Sequence, residues 1–411
     1  MNEEIITALD LGSSKIFGIT GIRRETGIEI IGEETIYPTE EVIKKGRIID
    51  MEGVTNYVYE VFGSLKSQTG ERIERVILGI GGGFIKGRVY SKEIDIEPKG
   101  RAIENTDLQN LKREIKKIAL SQVDSDQEIL HILPQQYKID GANTTQKDPV
   151  GLHGNKIEGK LHVLLSQKNP LKDIINCIKN AGAEVEAVYP HSWAVSESVL
   201  TEEEKKLGCL VIDFGKGTTD IALYIDNKLV ISDSYRVGGG NIDLDLSIEL
   251  HTSLNFAEEL KKNYGWCNYK NLIKGRQPFL NQKVEIITLS GKIKQQTTVE
   301  KISKVVYERV KEIFQDIILK DVKQEPLFST IGAGIIISGG SSKLKGLLQL
   351  SNEIFNQPTR LGIPKKMLGI EEYFRKPEFA CGIGLLLLTP KREKKLPWWL
   401  KIKEKIENCF Y

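Results

Sequence analysis

Neither sign of charge is in marked excess in this chain. Lys and Arg total 58 against 56 Asp and Glu, a formal net of +2. That balance excludes a uniformly basic nucleic-acid binder and an acidic, disordered solvator. Cysteine is sparse: Cys177, Cys209, Cys267, Cys381 and Cys409 form no C-x-x-C pair. Neither a disulfide framework nor a zinc site is expected, and a reducing cytoplasm suits such usage. The five histidines are dispersed, which argues against a histidine metal site. Long apolar runs are absent too. The longest, CGIGLLLL at 381–388, falls far short of the ~20 residues that span a bilayer. The opening MNEEII is acidic and lacks an apolar stretch, so no secretory signal is expected.

What is present is unevenly placed. Residues 389–411 hold seven Lys/Arg and three Asp/Glu, leaving 51 basic and 53 acidic groups elsewhere. A slightly acidic body therefore carries a short basic tail. Glycine, 38 of 411 residues, is clustered at the ends of apolar runs. Residues 5–9 and 15–19 read as strands around a turn at 10–14, and 76–80 as a strand running into Gly81. Leu108, Leu111, Ile115 and Ile118 predict a helix over 103–120, with Asn105 or Thr106 as N-cap. Residues 171–181 predict another, with Gly182 just beyond its end. Residues 209–212 and 335–337 read as buried strands. Residues 302–319 read as an amphipathic helix through Val306, Val310, Ile313 and Ile317. Strands and helices interleave, so the class is α/β.

One pattern occurs twice. IITALDLGSSKIFGI at 5–19 resembles CLVIDFGKGTTDIAL at 209–223, with Asp10 matching Asp213 and Gly12 matching Gly215 at one offset of 203. A motif repeated half a chain apart suggests two related domains facing one cleft. The chemistry fits phosphate. Glycine lets N–H groups approach an anion with no Cβ in the way, and successive N–H groups form a nest for its oxygens. Ser13, Ser14, Thr218 and Thr219 add hydroxyls, and Lys15 adds a point charge. An Asp beside phosphate makes sense when Mg²⁺ and its waters lie between. One such turn also reads as an ordinary Gly hairpin with a solvated Asp. Two in matched contexts, followed by GAGIIISGGSSKLKG at 332–346, point to a nucleotide cleft.

These elements, in this order, resemble the actin/Hsp70/sugar-kinase ATPase superfamily, and within it the FtsA family of bacterial cell-division proteins. The closer likeness is carried by VILGIGGGFIKG at 76–87, ILHILPQQYKIDG at 129–141, DPVGLHGNKIEGKLHVL at 148–164, VGGGNIDLDLS at 237–247 and NFAEELKKNYG at 255–265. The resemblance implies an actin-like, two-lobed α/β ATPase fold with an SHS2-like inserted α+β subdomain (1C) and a C-terminal amphipathic helix. It places the core of lobe one at 1–83 and 164–198 and the insert at 84–163. The core of lobe two falls at 199–240 and 300–388, its small subdomain at 241–299, a linker at 389–397 and the helix at 398–411. ATP and Mg²⁺ are the implied ligands, with Asp10 and Asp213 holding the metal through water. Gly12, Ser13, Ser14, Lys15, Gly215, Lys216, Gly217, Thr218, Thr219 and Gly239 would surround phosphates. Glu258 and Lys261 would flank ribose and adenine, and Gly339, Gly340, Ser341 and Lys343 would line the base. Glu258 and Lys261, three apart on one helical face, also read as a plain surface ion pair.

Two departures from the family stand out. Lys216 replaces a small residue; it either adds charge near the terminal phosphate or points outward. Tyr189 precedes Pro190 where the superfamily often has a water-orienting Glu or Gln. Tyr is a poor base at neutral pH, and Glu197 is a distant substitute. Hydrolysis is therefore expected to be slow or undetectable, below ~1 s⁻¹, with ATP acting as a conformational ligand. In the tail, Trp399, Ile402, Ile406 and Phe410 share one helical stripe with Trp398 at its edge, opposite Lys401, Lys403 and Lys405. That pattern suits a helix lying in an anionic headgroup layer; a helix docked on the body is the alternative. Family members end in such a helix, usually after a longer linker.

The implied function is an ATP-binding division scaffold that polymerises with itself and tethers FtsZ filaments, through the FtsZ C-terminal peptide, to the membrane. It would sit on the cytoplasmic face at the division site and recruit later division proteins. The insert would take filament contacts and the small subdomain the FtsZ peptide. No nucleic-acid partner is expected. A pilus-assembly adaptor of the same subfamily would lack the membrane helix. A small-molecule kinase would need a carboxylate facing an acceptor hydroxyl, and a chaperone-like ATPase a peptide-binding domain; the sequence shows a motif for neither.

Overall fold

The computed structural model describes residues 4–143, 148–289 and 294–389. The expected helix, with Trp398, Trp399, Lys401, Ile402, Lys403, Ile406 and Phe410, lies outside the described residues, as does the linker beyond 389.

Two sheets follow one plan. In the first, strands Glu4–Leu11, Ile16–Arg24 and Gly27–Ile36 form an antiparallel meander, and Arg75–Ile80 and Glu184–Pro190 add in parallel beside Glu4–Leu11. In the second, Cys209–Phe214, Thr219–Ile225 and Lys228–Tyr235 repeat the meander, and Ile335–Ser338 and Thr359–Leu361 repeat the parallel pair. The repeat legible at offset 203 thus extends to five strands in each half. Strands Glu4–Leu11 and Cys209–Phe214 are covered on both faces, which is why their sequences run apolar without alternation.

The second sheet continues past Tyr235. Asp233 pairs with Lys86, so strand Ile85–Asp95 joins it, followed by Lys156–Gln167 and Gln127–Ile139. The chain enters this segment from the first half, yet its sheet is continuous with that of the second. The segment has its own core, in which helix Asn105–Gln122 buries Leu111 and Ile115 against Leu161 and Val163. Its N-cap is Glu104, not Asn105 or Thr106. Arg101 grips Asp107 at 2.7 and 2.8 Å, and Asp107 accepts the Glu104 N–H at 2.8 Å, which starts the helix one residue early. Helix Lys168–Asn180 ends as expected, with Gly182 at φ +100°.

The long amphipathic helix departs from its predicted register. Val299–Lys311 is α-helical, but Glu312–Leu319 is wound as a π-helix. The wider turn rotates the apolar face, so Ile318 and Leu319 join Ile313 and Phe314 in the core while Ile317 is only half-buried.

Between the sheets lie helices His191–Val199 and Ala380–Leu388, packed on each other. They share one core with Phe17 and Ile77 of the first sheet and Val211 and Ile336 of the second. The two helices approach so closely that a Cβ at Gly384 would overlap the carbonyl oxygen of Ala194. Gly384→Ala is therefore expected to cost about 1–3 kcal/mol through overpacking. A thermal melt checks this, with Leu387→Ala, at a site 40% exposed, as the near-neutral control.

Candidate functional site

The two repeated hairpins form the floor of a cleft of about 570 Å³. Their turns close identically: Gly12 N–H donates to Lys15 O, and Gly215 N–H to Thr218 O, both at 3.0 Å. The turns also touch, since a Cβ on Gly217 would overlap the Ser13 hydroxyl. Asp10, Gly12, Ser13, Ser14, Lys15, Asp213, Gly215, Lys216, Gly217 and Thr218 all line the cleft. Glu258, Lys261, Gly339, Gly340, Ser341 and Lys343 line its far end.

Thr219 and Gly239 are not part of the lining. Successive residues of a strand face opposite sides, so Thr218 faces the cleft while Thr219 donates backwards to Val237 O at 2.8 Å. Gly239 lies behind Ser341, and its carbonyl accepts Lys261 Nζ at 3.1 Å. Both residues hold the wall in place from behind.

The wall is laced by ion pairs. Glu258 and Lys261, on helix Leu254–Tyr264, do not pair with each other. Glu258 meets Lys216 at 2.8 Å and Lys262 at 2.7 Å, while Lys261 is buried against Asp243 at 2.7 Å. Lys216 therefore straps the second hairpin to this helix. Burial would raise the Glu258 carboxyl, but the Lys216 and Lys262 ammonium groups outweigh it and bring it down to about 2. Lys343 pairs with Glu378.

The floor holds three residues outside the expected set, Gly81, His191 and Cys381, with Asp220 buried close to His191 and Asp213. His191 Nε2 lies 3.1 Å from Asp10 Oδ1, and Lys15 Nζ lies 3.1 Å from Asp10 Oδ2. Both oxygens of Asp10 are thus engaged. Burial would raise Asp10, but Lys15 and His191 beside it hold it well below the usual carboxylate range. Asp213 differs, because it makes no hydrogen bond or ion pair among the described residues. Burial, reinforced by the neighbouring Asp220 carboxylate, pushes it up to about 7. An unpartnered carboxylate opening into a cleft suits a hydrated divalent cation. Asp10, already neutralised, suits it less than its matched position implied.

The Asp213 shift has a thermodynamic consequence. Its ordinary value is 3.8 and its folded value about 7, so the ligand-free folded state binds more protons than the unfolded state across that window. Stability must fall as pH rises through it. Asp213→Asn removes that loss. Its melting temperature is expected to exceed the parent's at pH 8 and to converge on it toward pH 4, read by differential scanning fluorimetry without nucleotide.

A family model described as "Cell division protein FtsA" matches residues 210–384, and one described as "SHS2 domain inserted in FTSA" matches residues 82–165. The cell-division protein FtsA of Pseudomonas aeruginosa is 28% identical over 385 residues, covering 93% of this chain and 89% of that protein. Among solved structures, the PilM-PilN type IV pilus biogenesis complex superposes with a TM-score of 0.64 at 15% identity, covering 94% of this chain and 99% of that one. MreB5 of Spiroplasma citri bound to ADP superposes with a TM-score of 0.53 at 16% identity, covering 98% and 99%. These structural likenesses establish the expected actin-like α/β fold. The two family matches and the nearly full-length relative establish more: the chain belongs to the FtsA family of cell-division proteins.

Proposed function

We propose that the chain is an ATP-binding division scaffold, which assembles with itself and ties FtsZ filaments to the cytoplasmic face of the membrane at the division site. The observation that carries the nucleotide part is the apposition of the two glycine hairpins, Gly217 against Ser13, at the floor of the cleft. Two nests facing one another would hold a chain of phosphates from both sides. Lys15 would offset their charge, and Asp213 would hold Mg²⁺ through water. The wall at Glu258 and Lys261 and the turn at Gly339–Lys343 leave room for the nucleoside. The ADP-bound MreB5 of the same fold supports this reading.

Hydrolysis in this reading is slow. Tyr189 and Glu197 do not line the cleft. The Tyr189 hydroxyl donates to Leu388 O at 3.1 Å, and Glu197 is held by Lys205 at 2.7 Å. Neither is placed to orient a water at the phosphates. Exposed Ile248, Leu254 and Leu289 offer apolar contacts for the FtsZ peptide on the small subdomain. No helix of the described residues is long and apolar enough to cross a membrane. Membrane attachment would fall to the basic, tryptophan-bearing tail, and that tail favours this reading over a pilus adaptor of similar fold.

Co-sedimentation with anionic vesicles in ATP tests the assignment. The full chain is expected to pellet with the vesicles and a chain truncated after Lys394 to remain in solution. Equal binding by both would remove the anchor, and a turnover above ~1 s⁻¹ would remove the conformational role of ATP.

A further inference from the structure

Strands Ile43–Lys44 and Arg47–Ile48 pair as a short hairpin with Lys45 and Gly46 at its tip. Both tip residues are left-handed, at φ +51° and +78°, as a tight two-residue turn between strands requires. The tip lies where three parts of the molecule meet. Gly46 lines the cleft. A Cβ on Gly217, in the second glycine turn, would lie 3.2 Å from the Lys45 backbone nitrogen. A Cβ on Gly46 would overlap the carbonyl oxygen of Gly81 and the Cα of Gly82, where the chain passes into the inserted segment. Beside the tip, Arg47 donates to the Gln167 side chain at 2.6 Å. Gln167 ends strand Lys156–Gln167, by which the chain leaves the insert, and its N–H donates to Phe84 O at 3.0 Å. One hairpin therefore touches a glycine turn of the cleft and both crossings between the first half and the insert.

The tip has donors to spare. Among the described residues the N–H groups of Lys45 and Gly46 make no hydrogen bond, and the Lys45 ammonium has no ion pair. The insert, for its part, is joined to the second half by little. A single residue pair, Asp233 with Lys86, links strand Ile85–Asp95 to Lys228–Tyr235. It is backed by the Gly87 N–H on the Asp233 carboxylate and by the Gln135 amide on Leu229 O, both at 3.2 Å. On its other side, Ile85–Asp95 pairs with Lys156–Gln167 along its whole length. So short a seam opens before the strands on either side of it.

We propose that this hairpin is a strap between the cleft and the insert: phosphates seated between the two glycine turns draw its tip inward, and the strap then holds the insert's seam shut. The strap presupposes the nucleotide site proposed above. A ligand shifts an equilibrium only through contacts that it makes better in one state than in the other. Here those contacts are the unspent N–H groups and the Lys45 charge, to which phosphate oxygens are strong acceptors. Gly46 passes the shift on, because its backbone already rests on Gly81 and Gly82 with no slack between them. Arg47 is a positioning residue that ties the same hairpin to the far crossing through Gln167.

Amide hydrogen exchange of the full chain tests the strap, with and without AMPPNP and Mg²⁺, alongside a titration of nucleotide affinity. In the parent, nucleotide is expected to slow exchange in residues 85–95 and 228–235 by about fivefold, the lower end of ordinary coupling between sites. Arg47→Ala and Gln167→Ala should each lose about half of that protection or more, the scale set by one exposed hydrogen bond. Their ligand-free exchange in strand Cys209–Phe214 should stay at the parent's rate. Coupling is reciprocal, so their nucleotide affinity should fall by the same factor as the protection. Gly46→Ala, which drives the hairpin off Gly81, should lose the protection entirely; if it fails to fold, the other two variants decide. Nucleotide bound by the parent with no protection at 85–95 overturns the strap and leaves the nucleotide site standing. Full protection in folded Arg47→Ala and Gln167→Ala overturns the strap as well. A parent that binds no nucleotide removes both readings.

Discussion

The two halves of the molecule depend on a close crossing of helices. Helices His191–Val199 and Ala380–Leu388 meet at Gly384, where only a hydrogen atom separates one backbone from the other. That contact lets one apolar core take a face from each sheet. With the sheets held in that way, the hairpins at Asp10 and Asp213 point at each other and their turns touch. A bulkier residue at the crossing would push the sheets apart, and the cleft is the place where they converge. The same helix carries His191 on its first turn, so the contact that joins the lobes also places a titratable group on the cleft floor.

Electrostatics governs the remainder of the site. Buried carboxylates gather where the hairpins converge, and each is settled differently. Asp10 is neutralised from both sides by Lys15 and His191. Asp220 accepts the Thr218 hydroxyl at 2.8 Å. Asp213 has neither arrangement, and burial raises it to about 7. Matched positions in a repeat therefore do not carry matched charge states. The wall behaves similarly: Lys216, which the sequence left either facing phosphate or facing solvent, holds Glu258 instead. Any ligand that needs Glu258 must compete with that strap and with Lys262.

Much of this was legible in the residues because the signals were local and repeated. The strand before Asp10, the glycine turn and the strand after it recur at Asp213, and each hairpin closes through neighbours only a few residues apart. Gly182, the run at 335–337 and the turn at Gly339 are legible for the same reason. The readings that missed depend on geometry that accumulates. Thr219 turns away from the cleft because the pleat alternates. Ile317 gives way to Ile318 because a π-turn shifts the helical register. Glu104 caps its helix because Arg101 locks Asp107 from outside it.

By itself, the sequence determined the class, the twofold plan, the order of the glycine-turn elements and the basic, tryptophan-bearing tail. Each rests on residue types at short, fixed spacing, and short spacing survives whatever the rest of the chain does. Only the tertiary structure decided which acids are paired, that a lone histidine sits among them, and that the inserted segment extends the sheet of the second half. Dispersed histidines carry no such placement in the sequence, because spacing along a chain is informative only when the residues share one element. His191, Asp213 and Asp220 come from separate elements and both halves of the molecule. Their convergence exists only once the helix crossing at Gly384 has brought the sheets together.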